Sequence, residues 1–447
     1  MSIGKILAAG CLCLIAAGDV AAQSTPKPLT LRECVETAQK NNMDVKKAVL
    51  DNERDFVQLR GAKGQMLPGI SGQIGHTLRQ GRNIDNATNA YTNSSNTQAN
   101  VNLDGDIVLF NGFRLFNNLK AKQYNYEAGK METQQAKDLL TLNVILAYLD
   151  VLSNTDVLKQ TEAQTEVTQK QVDRLAIMNE QGAIKPSDYY DLKGQLSGNK
   201  VNTITSRNNL NNARLRLAQL MNIPYDESLT VEPINIEQFE MNYPSSADSV
   251  YRTALEQLAQ IKAVDLVKES AEKDVRSARG GLFPTVSLGG GYNTNYSKTQ
   301  VDQNQKRIPY FEQLKNNRGT YAGITVNVPI MQAFNARNRL SNAKIALKEM
   351  EYIAENTRIT LRQNIEKDYL NMTATLNRYQ ALGDQVSSYA ENFRAAEVRF
   401  NNGASNSVDY LIAKNKLDNS NIDLIIARYE YVLRARIIDY YQGKLNW

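Results

Sequence analysis

Two carboxylates, Asp188 and Asp409, each stand six residues after a glycine in stretches that match in register. The first reads GAIKPSDYYDLKGQL from Gly182 and the second GASNSVDYLIAKNKL from Gly403, 221 residues later. In both, alanine follows the glycine, tyrosine follows the acid and leucine stands fourteen residues on. Glycine suits the left-handed position that ends a helix. Ser187 and Asp188, or Ser405, Ser407 and Asp409, can start the next one, because their oxygens accept its unpaired N–H groups. Catalysis fits these residues poorly. His76 is the only histidine, so no Ser/His/Asp relay can be assembled around them. The glycine-rich LGGGY from Leu288 lies inside alternating sequence with no helix after it, so it is not a phosphate loop. No His/Cys/carboxylate grouping has metal-ligand spacing, and the methionines are scattered. The chain reads as a non-enzyme with no cofactor and no metal.

Something long must hold these two turns. From Phe113 to Gln181 there is no proline and one glycine, Gly129; from Asn335 to Asn402 there is again no proline and one glycine, Gly383. Both segments are rich in helix-favouring residues. Their apolar residues recur at three- and four-residue spacing, as in Leu139, Leu142, Ile145, Leu149 and Leu152, or Ile353, Leu361, Ile365, Tyr369, Met372 and Leu376. Each predicts a helix of ~100 Å. Shorter helices are expected near residues 30–65, 187–222, 247–280 and 406–442, running back alongside. The apolar stripes are narrow and interrupted by Asn, Gln and Thr, as in a solvated bundle, but helices of this length point to a coiled-coil or tubular arrangement.

The chain is written twice. VKKAVLDNERDFVQLRGAKGQMLP from Val45 lines up with IKAVDLVKESAEKDVRSARGGLFP from Ile261, and FNGFRLFNNLKAK from Phe110 loosely with MQAFNARNRLSNAK from Met331. The repeats predict a first structural unit over 23–223, a connection over 224–246 and a second unit over 247–447. Each reads helix, proline, strand pair (about 69–110 and 284–330), long helix, tip turn (182–187 and 403–408) and return helix.

The strand segments alternate with period two. Ile70, Ile74 and Leu78 oppose Gln73, Thr77 and Arg79; Val101, Leu103 and Ile107 oppose Asn100, Asn102, Asp104 and Asp106. Val286, Leu288, Tyr292 and Tyr296 oppose Ser287, Gly289, Gly291, Asn293 and Asn295; Ala322, Ile324, Val326 and Val328 oppose Gly323, Thr325 and Asn327. These segments have the length of membrane strands, and their polar faces carry Asn, Gly, Ser and Thr rather than lysine and glutamate. Hydrocarbon demands a closed sheet, and the smallest such barrels have about eight strands. Four strands cannot close, so several copies must share one barrel; two would give eight strands and three would give twelve.

The N-terminus has the form of a secretory signal: Lys5, an apolar run from Ile6 to Ala17, then Val20-Ala21-Ala22, with cleavage expected after residue 22. Cys11 could be a lipidated cysteine, but Ala8 sits where leucine is usual, which favours ordinary cleavage. Cleavage leaves Cys34 as the single cysteine, so no internal disulfide is available. The net charge of +5 is spread out and gives no nucleic-acid footprint. No later apolar run is long enough to span a membrane as a helix.

With the duplication, the strand pairs after LP and FP, the FNGF exit, LAQLMNIP from Leu217, and DYLIAKNKL, the mature chain resembles the TolC-like outer-membrane efflux proteins. The resemblance implies a mainly α protein with membrane β structure: a homotrimer of twelve strands continuing into an antiparallel α-helical barrel across the periplasm. It implies a passive exit path from the periplasm through the outer membrane for solutes of a tripartite efflux or type I secretion system. The partners implied are a periplasmic membrane-fusion adaptor, an inner-membrane transporter (RND, ABC or MFS type) and outer-membrane lipid. The adaptor would dock at Gly182, Ala183, Ser187, Tyr189, Gly403, Ala404, Ser405 and Tyr410. Asp188, Asp409 and Phe400 would lie near the constriction, where repeated carboxylates favour cations. Some relatives carry an arginine two residues after the second glycine and a tyrosine three before it. Ser405 and Phe400 stand there instead, and Ile412 stands where a further acid can occur, so the closing contacts must differ. A coiled-coil adhesin or periplasmic spacer is the alternative reading, although its strands would gather at one chain end.

Overall fold

A computed structural model of the chain describes residues 28–84, 89–234, 246–331 and 333–444. The expected signal over 1–22, with Cys11, and part of the expected connection lie outside the described residues. Nine helices and four strands are described, in the order α1 (Leu31–Asn41), α2 (Met43–Gly64), β1 (Gly69–Ile84), β2 (Tyr91–Phe110), α3 (Arg114–Glu180), α4 (Pro186–Met221), α5 (Ala247–Gln257), α6 (Ala259–Gly280), β3 (Thr285–Ser297), α7 (Tyr310–Asn316), β4 (Gly319–Asn327), α8 (Asn335–Asn401) and α9 (Ser407–Tyr441). Both long helices have 67 residues, as proline-free sequence of that length allows.

The expected helices at 30–65 and 247–280 are each broken in two. At Asn42 the backbone turns to an extended ψ of 132°, and its side chain accepts from the N–H groups of Asp44 and Val45. Asn42 therefore ends α1 and starts α2 in one step. Leu258 makes the equivalent break with ψ 128° and no side-chain cap, and is held instead by burial in the core. Asparagine was a readable signal at the first break. The leucine at the second carries no such signal, because packing alone makes it turn.

The main core lies midway along the long helices. Cys34, Val35 and Ala38 of α1 pack with Ile145, Tyr148, Leu149 and Leu152 of α3, Leu217 and Met221 of α4, Val250 of α5, Ile365 of α8 and Ile438 of α9. Leu139 and Ile353 from the predicted stripes are exposed. The Tyr148 hydroxyl donates to the carbonyl oxygens of Leu29 (3.1 Å) and Glu232 (2.7 Å), beside a parallel bridge between Leu29 and Val231. One buried phenol thus ties the start of the first half to the segment that leaves it. Burial pushes the Cys34 thiol up to about 12, with Glu33 adding to the shift, so Cys34 is an inert core residue.

Away from this belt the helices form a thin wall. Near the sheet α3 packs on α2 and α6, and α6 on α8; near the tips α3 packs on α4 and α9, and α9 on α8. The polar residues that interrupt the stripes pair inside this wall. Asn199 donates to Thr168 (2.9 Å), Thr165 meets Thr203 (3.0 Å), Asn415 donates to Gln195 (3.2 Å), and buried Lys414 pairs with Asp418. A wall in which helices pack side by side in a row has too little interior for a continuous apolar core, and satisfied polar pairs fill the rest.

Candidate functional site: the helical tips and the open sheet

Each long helix ends in the same hydrogen-bonded turn. Gly182 (φ +68°) and Gly403 (φ +70°) take the left-handed position. Gly182 N donates to Asn179 O and Ala183 N to Met178 O; Gly403 N donates to Phe400 O and Ala404 N to Arg399 O. This paired bonding satisfies the last helical carbonyls, and glycine permits the angle. The two glycines and the alanines that follow are exposed at the end of the molecule.

The return helices start differently from the expectation. Neither Ser187 nor Asp188 caps α4: Lys185 occupies the cap position without a side-chain bond, and Pro186 follows in the first helical turn. Proline removes one unpaired N–H and presets φ, so a side-chain acceptor is less needed. In α9 the cap is Asn406, which accepts from Asp409 N at 2.9 Å, rather than Ser405, Ser407 or Asp409. An asparagine three residues before an acid was the legible sign.

The acids have other partners. Asp188 Oδ1 accepts from Ser407 N of the opposite tip (3.4 Å), and Asp191 Oδ2 accepts from the buried Ser407 hydroxyl (2.9 Å). Asp409 accepts from the Ser405 hydroxyl at 3.1 Å. The first tip therefore helps to cap the second, and these carboxylates sit against positive helix N-termini. Asp191 escaped the sequence reading because its partner is 216 residues away.

The aromatic residues turn inward. Tyr410 is 1% exposed, stacked on Phe400 (4.9 Å) and tilted against Phe393 (5.5 Å). They pack with Val172, Leu175, Leu192, Leu196 and partly buried Tyr189 in a second core that joins the two hairpins. Tyr410 was expected on a docking surface and Phe400 near a constriction; Tyr410 is instead core, with its hydroxyl pushed up to about 12 by burial, then by Glu397 and Asp418. Between the tips lies a cleft of about 450 Å³, lined by Ala183, Asp188, Gly403 and Ser405 with Arg174 and Lys185. Arg174 crosses it to Asn401 at 2.9 Å.

At the other end the four strands form one antiparallel sheet in the order β1-β2-β3-β4. Directly opposed residues share a face, so the register decides the faces. Ile74 pairs with Val101, Gly72 with Leu103 and Tyr292, Ile107 with Leu288 and Ile324, and Val286 with Val326. One face is therefore apolar across all four strands, and Ile70, Ile74, Leu103, Ile324 and Val326 are each more than half exposed on it. The other face matches Gln73 with Asn102 and Asn293, and carries a bond from Tyr321 to Asp104 at 2.9 Å. His76 lies on the apolar face opposite Ala99. The outer edges of β1 and β4 have no strand partner among the described residues.

An exposed apolar face across a whole sheet is the pattern of strands that face lipid. A family model described as "Outer membrane efflux protein" matches residues 34–222 and 250–437, one segment in each half. The chain belongs to this family. Outer membrane protein TolC of Escherichia coli is 25% identical over 93% of this chain and 82% of its own length. Among solved structures, the CmeC outer membrane channel of Campylobacter jejuni superposes with TM-score 0.77 at 17% identity, covering 93% of this chain and 86% of its own. VceC of Vibrio cholerae superposes with TM-score 0.77 at 14% identity, covering 93% and 97%. The efflux protein is thus an outer-membrane channel component and not an enzyme, its mainly helical fold with a small antiparallel sheet as the sequence implied. No helix among the described residues is long and apolar enough to cross a membrane.

Proposed function

We propose that three copies of this efflux protein close one twelve-stranded barrel, four strands each, continuous with a helical tunnel through the periplasm. The observation that carries this is the open four-stranded sheet with one face mainly apolar across all four strands. In lipid its two free edges must be paired, and identical neighbours supply β4-to-β1 pairing without new sequence. The tunnel delivers solutes, received from an inner-membrane transporter through a periplasmic adaptor, to the outside. The exposed tip residues Gly182, Ala183, Ser187, Gly403 and Ala404, with half-buried Ser405, form the adaptor-facing end. The test is the mass of the detergent-extracted complex together with its single-channel current. A trimer that conducts is expected; a non-conducting monomer would sink the proposal.

Asp188 and Asp409 are proposed to line the inner mouth, where repeated carboxylates attract cations. Asparagine keeps an acceptor oxygen for the Ser407 and Ser405 bonds while removing charge. The double variant Asp188→Asn, Asp409→Asn is expected to move the reversal potential under a salt gradient toward zero, with the complex still assembled. A reversal potential unchanged from the parent leaves both acids as hydrogen-bond acceptors for Ser407 and Ser405 only.

A further inference from the structure

The loop between β3 and β4 folds back against the apolar side of the sheet. The upper end of β3 has no β4 residue beside it, because β4 ends its pairing at Gly319 opposite Asn293. Helix α7 fills the gap. The Gln313 side-chain amide donates to Ser297 O (3.0 Å) and accepts from Ser297 N (2.9 Å), reproducing the two bonds of a strand pair, and Asn317 donates to Asn295 O (2.8 Å). Thr294, which shares the apolar face with Val101, donates to Leu314 O at 2.7 Å. Helix α7 therefore leans over the lipid-facing side.

It places aromatic and basic groups there. Tyr310 packs on Tyr296 of that face at 4.5 Å, Phe311 packs edge-on to Tyr310, and Phe311 is 82% exposed. Around them Lys306, Arg307, Lys315 and Arg318 are exposed, and none has an ion-pair partner among the described residues. The loop's acids are fewer and make no ion pair with them: Asp302 accepts from the backbone N–H groups of Asn304 and Lys306, and Glu312 is exposed in the first turn of α7. On the neighbouring hairpin, Arg82 lies over the Tyr91 ring at 4.5 Å, again on the apolar side. Aromatic rings at the border of an apolar band, with unpaired cations just beyond, match a membrane surface whose headgroups carry phosphate.

We infer that the α7 loop is a headgroup-binding element that holds the phosphates of anionic outer-surface lipids, with Phe311 inserted at the interface and Lys306, Arg307, Lys315 and Arg318 as the phosphate ligands. The inference rests on the barrel reading, since it needs the sheet to stand in lipid. The test uses the full-length complex in detergent, titrated with phosphatidylglycerol or phosphatidylcholine while its thermal melting is followed. The parent is expected to gain stability from phosphatidylglycerol, less so at high salt, and little from phosphatidylcholine. Each removed charge is worth roughly fivefold in lipid affinity, so the variant with all four changed to Ser should lose on the order of a hundredfold or more. Its single-channel current should match the parent's, which shows that the barrel is intact. Equal responses to the two lipids, or an unchanged response in the variant, would overturn the inference. So would a variant whose complex falls apart without added lipid, because the patch would then be a contact between copies. A parent that carries no current yet responds selectively to phosphatidylglycerol would leave the lipid site standing and remove the channel instead.

Discussion

Leu103→Arg is expected to abolish membrane assembly, while Asn102→Arg, one residue away, leaves the complex assembled and conducting. Leu103 is central in β2, an inner strand, and is half exposed on the apolar face between Gly72 and Tyr292. Asn102 lies between Gln73 and Asn293 on the other face. An arginine facing lipid near the midplane costs roughly 2–4 kcal/mol, and in a ring of three that cost recurs in every copy. The same charge toward a wet lumen costs little and alters selectivity. Heat-resistant oligomer in outer-membrane fractions reads the first effect, and bilayer current the second. The pair is informative because the opposite architecture gives the opposite order. Were the Leu103 face bathed in water, arginine there would be neutral or would improve solubility, and Asn102→Arg would be no gentler. Equal assembly of the two variants removes the membrane barrel.

How much of this was legible in the sequence divides along physical lines. The two long helices could be read because nothing in 67 residues interrupts them, and the strands because period-two alternation survives in Val286, Leu288 and Tyr292. These are local properties. The strand pairing was also implied, since each half carries its own pair. Contacts between the halves were not. Ser407 meets Asp188 and Asp191 across more than 200 residues, and Arg174 meets Asn401 across 227. No local pattern in either stretch marks the other as its partner. Tyr410 was misplaced for the same reason: the resemblance put the whole tip on a docking surface, whereas a helix turns neighbouring residues through about 100°, and this one faces Phe393 and Phe400. Helix α7 was hidden in a stretch that reads as a long polar loop. Its anchor is one glutamine amide, Gln313, acting as a substitute strand.

The breaks at Asn42 and Leu258 show that the duplication constrains shape more tightly than it constrains residue type. The strand-to-helix junctions show the same, and they carry the second large prediction. Phe113 (φ +61°) and Phe334 (φ +62°) both enter the long helices in the left-handed region, preceded by Gly112 (φ +66°) and Ala333 (φ +45°). Since Ala333 adopts the angle, the left-handed conformation alone does not demand glycine. What distinguishes Gly112 is its neighbour. A Cβ there would lie 2.5 Å from Gly280 O and 2.8 Å from Phe283 Cβ, and a Cβ on Gly280 would lie 2.6 Å from Gly112 O. The first-half junction and the end of α6 thus meet backbone to backbone, which ties the two halves together just below the sheet.

Gly112→Ala is therefore expected to destabilise each copy by roughly 3 kcal/mol or more, the conformational strain adding to an overlap with backbone that cannot rotate away. Ala333→Gly should change stability by no more than about 1 kcal/mol, the ordinary effect of glycine on an unfolded chain. Thermal melting of the detergent-extracted complex compares the two directly, and yield in the membrane fraction should follow the same order. If Gly112→Ala melts with the parent, neither the close approach of the two halves nor the positive φ constrains that position. If it melts far below while Ala333→Gly does not, then the seam between the duplicated halves, rather than either half's own packing, sets the geometry with which α3 leaves the sheet.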